Sequence, residues 1–236
     1  MNNLHIKNFI KCGNKNNILI IIISNYYFCY SLAELDYIVF YYIKILNLKS
    51  STINFKNYKF CSCLSISNIV CHGIPVFEKI NFLNIKIDIA INYQNKHSDS
   101  CINLFKNKKF NFLKKIFLNL IKNIKRNNFF SKIGYLINKI KNSKIYITEE
   151  YCSHGIFDKL HNKNIIFHNV NNNKKKIKNF DSFTIEPMFN YGNCSGFFFL
   201  NIFVSKKNFY TFQWEHTLFI LNKKKIITTI RKIELC

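Results

Sequence analysis

The chain has 236 residues, 48% of them hydrophobic, and a formal net charge of +23. That apolar share supports a core and excludes global disorder, and the length suits one large domain. The charge suggests a nucleic-acid or anionic-membrane partner. Its lysines, however, are spread among Asn, Ile, Phe and Tyr, all with A/T-rich codons, so codon bias is the simpler source and weak nonspecific RNA binding its by-product.

In chain order, residues 4–47 read as two helices interrupted near "CYSLAELD", where Ser31 and Glu34 make a capping-box pattern. The run "ILIIII" from Ile18 to Ile23 imitates a signal-peptide core, yet lacks a nearby cleavage site and is far short of the ~20 residues that span a bilayer. A buried first helix is expected instead. The nine cysteines form no C-x-x-C pair, and Cys61 with Cys63 is too tight for the usual zinc spacing. Reduced cytosolic thiols are expected. Short strands begin after Tyr58, and "IKIDIAIN" alternates Ile85, Ile87, Ile89 and Ile91 against Lys86, Asp88, Ala90 and Asn92. Residues 110–141 suggest two basic amphipathic helices with solvated charge stripes. Strands return at "KIYITEEY", "NIIFHNV", "SFTIEPMF", "FFFLNIFV", "FYTFQWEHTLFIL" and "KIITTIRKI", with Val170–Asn179 a polar loop. Helices then strands, twice over, predict an α+β fold of two similar halves.

Only twelve acidic residues exist, and several sit on strand-like segments. Asp88 lies among isoleucines. Glu186 shares a face with Thr184, and Glu215 shares parity with Thr211, Gln213 and Thr217. Asp99 follows Asp88 at a spacing that a hairpin folds so that both carboxylates face one place. His154 and His161 stand an odd number of residues apart, so a turn between them is needed to bring both rings to one site. Alone, each carboxylate is most simply a solvated face and each His a satisfied core residue. If four carboxylates converge, each close pair repels by about 4 kcal/mol at ~4 Å and an effective dielectric near ~20. Such a cluster takes up protons or holds cations. Oxygen-rich donors with one imidazole suit Mn, Fe, Co or Zn, and carboxylates shared between two ions serve metal-assisted hydrolysis.

The order "VCHGIP", "KIDIAI" with a following "SDS", "SHGI" with a later His, "FTIEPMFNYG" and "QWEHTLFI" resembles the type I methionine aminopeptidases over nearly the whole chain. The resemblance implies one catalytic domain over residues 1–236. Its α+β pita-bread fold would have two pseudo-symmetric halves around a central curved antiparallel sheet. It implies two divalent ions held by Asp88, Asp99, His154, Glu186 and Glu215. Asp99 and Glu215 would bridge them, Asp88 would complete one, and His154 with Glu186 the other. His72 would contact the scissile amide, His161 would steady the oxyanion, and Glu186 would act as general base. Tyr58, Cys63 and Phe203, with Phe55 nearby, would line the methionine pocket. The implied setting is a cytoplasmic monomer near the ribosome acting on the N-terminal Met of nascent peptides, with no specific nucleic acid or membrane partner.

The chain departs from the family pattern. Ser98 and Ser153 replace glycines, the segment around His161 lacks the usual Gly and Pro, Phe203 replaces a Trp, and the stretches before Asp88 and before Glu215 are shortened. Lost glycines predict backbone strain of about 1–3 kcal/mol per position. Three other readings are weaker. A non-catalytic relative binding ribosome or RNA should have lost ligands, and none is missing. A proline-directed relative fits "CHGIP" and "EHT" less well. A generic nucleic-acid binder leaves the ordered acids unexplained.

Overall fold

The computed structural model describes residues 2–28, 30–76, 84–105, 107–192, 196–199, 202–205 and 210–234. Helix α1 (Asn3–Ser24) opens where the Asn2 side chain accepts the Leu4 N–H at 3.0 Å. It buries Phe9, Cys12, Leu19, Ile20 and Ile23 but leaves Ile18 and Ile21 at the surface, so the first helix is buried along one face as expected. Helix α2 (Leu32–Ile45) begins with the expected capping box, in which Ser31 and Glu34 satisfy each other's backbone N–H groups. Among the described residues no helix is long and apolar enough to cross a membrane.

Strands β1 (Lys49–Ser50), β2 (Cys63–Ile66), β3 (Asn84–Tyr93) and β4 (Lys96–Phe105) form one antiparallel sheet. Ile85, Ile87, Ile89 and Ile91 pack against both helices. The buried Asn16 amide of α1 donates to the carbonyls of Ile89 and Ser98 at 2.8 and 3.0 Å, clamping helix to hairpin. The opposite face of β3 is not solvated: Lys86 and Ala90 are buried and Asp88 is half-buried.

Helices α3 (Asn111–Asn123) and α4 (Ser131–Asn138) open the second half. The expected amphipathic pattern holds, with Leu113, Phe117, Leu120 and Ile121 inward. Next come β5 (Ile145–Ile147), β6 (Cys152–Gly155), β7 (Asn162–Phe167), β8 (Ser182–Ile185), β9 (Met188–Tyr191), β10 (Gly196–Phe199), β11 (Ile202–Ser205), β12 (Tyr210–Gln213), β13 (His216–Leu221) and β14 (Lys224–Ile227). They make a five-stranded sheet ordered β14-β13-β8-β6-β7, a three-stranded sheet β12-β9-β5 and the β10–β11 hairpin. Helices followed by antiparallel strands, twice, match the α+β expectation.

Three segments differ from the reading above. "SFTIEPMF" breaks at Glu186–Pro187 into strands of different sheets, because proline has no N–H for a ladder. "FYTFQWEHTLFIL" also breaks, at Trp214–Glu215, into strands of different sheets, with no proline there. The polar loop after Val170 is more than solvent-exposed linker: Ile177 is fully buried and its N–H donates to the Asn128 carbonyl at 2.8 Å. The halves meet where the Glu215 N–H donates to the Cys101 carbonyl at 3.1 Å and the Cys101 N–H returns a bond at 3.4 Å.

Candidate metal centre

The β3–β4 turn places Gln94 and Asn95 at φ 51° and 57°, the left-handed pair that suits a tight hairpin. Its register sets Asp88 opposite Cys101 and Ala90 opposite Asp99. Asp88 and Asp99 are therefore diagonal neighbours on one face, as the spacing predicted. Burial, then the charges of Asp99 and Glu186, push Asp88 well above its usual range.

From the other half, His154 sits on β6 just before a register shift. Its Nδ1 is 3.0 Å from the Gly155 carbonyl, which can only accept, so Nδ1 carries the proton and Nε2 offers a lone pair. That Nε2 lies 3.5 Å from Glu186 Oε1 and 3.9 Å from Asp99 Oδ2. Burial, followed by the nearby His161 ring, lowers His154 to about 3, which keeps it neutral. Glu186 ends β8 beside Pro187. Its Oε1 accepts from the Thr184 hydroxyl at 2.8 Å, and that same hydroxyl accepts the His154 N–H at 3.1 Å. Glu215 enters from the β12–β13 break, positioned by its backbone pair with Cys101.

Donor atoms of Asp99, His154 and Glu215 all lie within 4.8 Å of one another, close to the span that one ion bridges with bonds of about 2.0–2.2 Å. Glu186 lies against His154 and Asp88 against Asp99, so these two carboxyls neighbour the trio. Burial, then mutual repulsion, pushes Glu186 to about 8 and Glu215 well up, while burial holds Asp99 at about 6. Asp99 Oδ1 and Glu215 Oε1 are buried and have no hydrogen-bond partner among the described residues. Unpartnered carboxyl oxygens, able to exchange their protons for a cation, beside a neutral imidazole lone pair are a donor set for a divalent ion.

The turn between the two histidines does what the odd spacing required. The His161 ring lies 4.1 Å from that of His154 and 4.7 Å from Phe55, centroid to centroid. His72 sits exposed at φ 56° with its ring edge-on to Tyr151 at 5.1 Å. The following Gly73 is required there, since a Cβ would meet the Leu64 carbonyl at 2.3 Å. Cys63 is opposite Asp88 in the β2–β3 register, and the Tyr58 hydroxyl donates toward the Ser62 and Gly73 carbonyls at 2.9 and 3.2 Å. Phe203 is buried with Val70, Cys71 and Met188, and Tyr151 packs against them.

The expected strain at Ser98 and Ser153 is absent. Neither has a positive φ, nor does any residue from 156 to 164. Ser153 instead uses its hydroxyl, which accepts the Glu186 N–H at 3.0 Å and lies 2.9 Å from His168 Nε2. The shortened stretches before Asp88 and Glu215 fall largely outside the described residues.

Several supporting groups carried no signal of their own in the sequence. Arg231 donates to the Ser100 hydroxyl at 3.1 Å, the Cys101 carbonyl at 2.7 Å and Glu234 at 3.1 Å, bracing the strand behind Asp99. Asp36 accepts the Cys61 and Ser62 N–H groups at 3.0 and 2.8 Å and so fixes the approach to Cys63. Lys86 is fully buried, with its amine on Thr211, and burial lowers it to about 7.

The family model of metallopeptidase family M24 matches residues 32–222. Methionine aminopeptidase 1b of Plasmodium falciparum is 30% identical over 213 residues, covering 84% of this chain and 41% of that protein. The methionine aminopeptidase of Buchnera aphidicola subsp. Acyrthosiphon pisum is 34% identical over 173 residues, covering 67% of this chain and 62% of that one. The chain thus spans less than two-thirds of either curated relative. The crystal structure of methionine aminopeptidase from Rickettsia prowazekii superposes with a TM-score of 0.87 at 19% identity, covering 98% of both chains, which shows the pita-bread fold.

Proposed function

The chain belongs to metallopeptidase family M24, and we propose that it is a metal-dependent methionine aminopeptidase that frees the first residue of nascent polypeptides. One observation carries this reading: Asp99, His154 and Glu215 present donor atoms within 4.8 Å of one another, flanked by Asp88 and Glu186. We read residues 1–236 as a single catalytic domain whose five donors hold two ions drawn from Co, Mn, Fe or Zn. Asp88, Asp99, His154, Glu186 and Glu215 would together hold them. When bound, such ions supply hydroxide near neutral pH and polarise the scissile carbonyl.

The chain's own groups do the rest. Glu186, aimed by the Thr184 hydroxyl, takes the proton of the attacking water and delivers it to the leaving amine. Partial burial, then the Lys56 charge, holds His161 at about 4, so its neutral imidazole donates an N–H to the developing oxyanion without titrating near neutrality. His72 reaches the scissile amide from the strained turn before Gly73. Tyr58, Cys63 and Phe203, with Phe55, form the wall for the methionine side chain. The setting we propose is a cytoplasmic monomer working close to the ribosome.

The test is methionine release from a Met-Ala-Ser peptide by purified, reduced protein supplied with Mn or Co. Release that Glu186→Gln abolishes supports the reading. A folded, metal-replete protein that releases nothing would instead be a non-catalytic relative.

A further inference from the structure

We propose that the basin between the C-terminal end of α3 and the β13–β14 hairpin binds polyphosphate anions. The basin measures about 540 Å³, and Lys122, Lys125, Arg126, Lys223 and Lys225 line it, with no carboxylate among the described lining residues. Codon bias explains lysines anywhere, but it does not explain the arginine. Of the 35 basic residues two are arginines, and Arg231 is consumed by bonds in the core. The other, Arg126, lines this basin, and its buried Nε has no hydrogen-bond partner among the described residues. A guanidinium presents a planar fork that matches phosphate oxygens, which an ammonium cannot do.

The basin is also built rather than incidental. The Lys225 amine donates to the carbonyls of Ile121, Lys122 and Ile124, which ties the end of α3 to the hairpin and fixes the floor. Lys223 occupies a left-handed turn position at φ 68°, where Asn or Gly is the usual choice, and so adds a cation at a conformational cost.

Shape and lining narrow the ligand. The volume is that of a small-molecule site and exceeds what one phosphate fills. Among the described residues no aromatic side chain lines it, so a nucleobase finds no stacking partner there and recognition falls on the phosphate groups. β13 separates the basin from Glu215 by roughly 20 Å at ~3.4 Å per residue, so this site is distinct from the metal centre. Phosphate groups in series occur in free polyphosphates, linked directly, and in a nucleic-acid backbone, separated by sugars, and the test distinguishes them.

Sodium tripolyphosphate is titrated calorimetrically into the metal-loaded full chain at fixed salt with excess magnesium. One saturable equivalent is expected. The double variant Lys125→Gln/Arg126→Gln should weaken binding at least tenfold, and the charge-matched Lys7→Gln/Lys11→Gln on α1 less than twofold. Arg126→Lys, which keeps the charge but loses the fork, should weaken it severalfold. If the double variant fails to fold, Lys223→Gln on the exposed turn carries the same expectation of weakened binding. Equal weakening by both charge-matched pairs, or uptake without saturation, overturns the proposal. A uridine dodecamer that displaces tripolyphosphate identifies the nucleic-acid backbone as the source, and one that does not identifies free polyphosphate.

Discussion

Ser153 Oγ accepts the backbone N–H of Glu186 at 3.0 Å, so the residue before one proposed metal ligand fixes the backbone of another. Ser153→Gly should therefore destabilise the protein by about 1–3 kcal/mol, the cost of a buried donor left unpaired. This opposes what the lost-glycine argument predicts. Thermal unfolding of Ser153→Gly decides: a melting temperature at or above that of the unsubstituted protein would show that the hydroxyl contributes nothing.

Metal binding should stabilise the fold more as pH rises from about 5 to 8. In the metal-free protein Glu186 sits at about 8 and Asp99 at about 6, both raised first by burial. A raised folded value favours the protonated form, so the stability linked to these groups is complete below the ordinary carboxylate range. It is lost as pH climbs through those values. A divalent cation replaces the protons and removes that loss. Differential scanning calorimetry with and without chelator should show the melting-temperature gap widening with pH.

Glu234 should behave in the opposite sense. Burial pushes it up, but the His216 hydrogen bond and the Arg231 charge outweigh this and hold it at about 2. Its contribution is present above the ordinary Glu value and disappears as pH falls toward 2. Glu234→Gln should be less stable than the parent at pH 7, with the difference vanishing near pH 2. Arg231→Met should cost about 3–5 kcal/mol, because Glu234 is left as a buried charge without its guanidinium. Urea titrations across pH measure both.

His161→Ala should lower kcat by about 100- to 1000-fold with little change in KM, the signature of a donor used in the transition state. Steady-state kinetics on the Met-Ala-Ser peptide measure it. A change confined to KM would assign His161 to ground-state binding.

Strand alternation and hairpin spacing made the meeting of Asp88 and Asp99 legible, whereas the full set of five donors came from the family resemblance. Alternation does not say what lies beyond the face. The Lys86–Asp88–Ala90 side looked solvated and is instead turned toward β12 and the second half, with Lys86 bonded to Thr211. The breaks at Glu186–Pro187 and Trp214–Glu215 were hidden for a similar reason, since a strand that changes sheets keeps its period. Loss of a glycine was misread because a family Gly does not guarantee a positive φ, and Ser153 fits extended backbone. The bracing roles of Arg231 and Asp36 were silent because Ser100, Cys101, Cys61 and Ser62, which they hold, lie far away in sequence.

Asp99 belongs to the first half of the molecule, whereas His154 and Glu215 belong to the second, and the Cys101–Glu215 backbone pair is the seam between them. An ion at that trio acts as a rivet across the seam. Starvation for the metal would then shorten the lifetime of the polypeptide itself, by opening the joint to proteases, so a depleted cell would hold fewer molecules as well as idle ones.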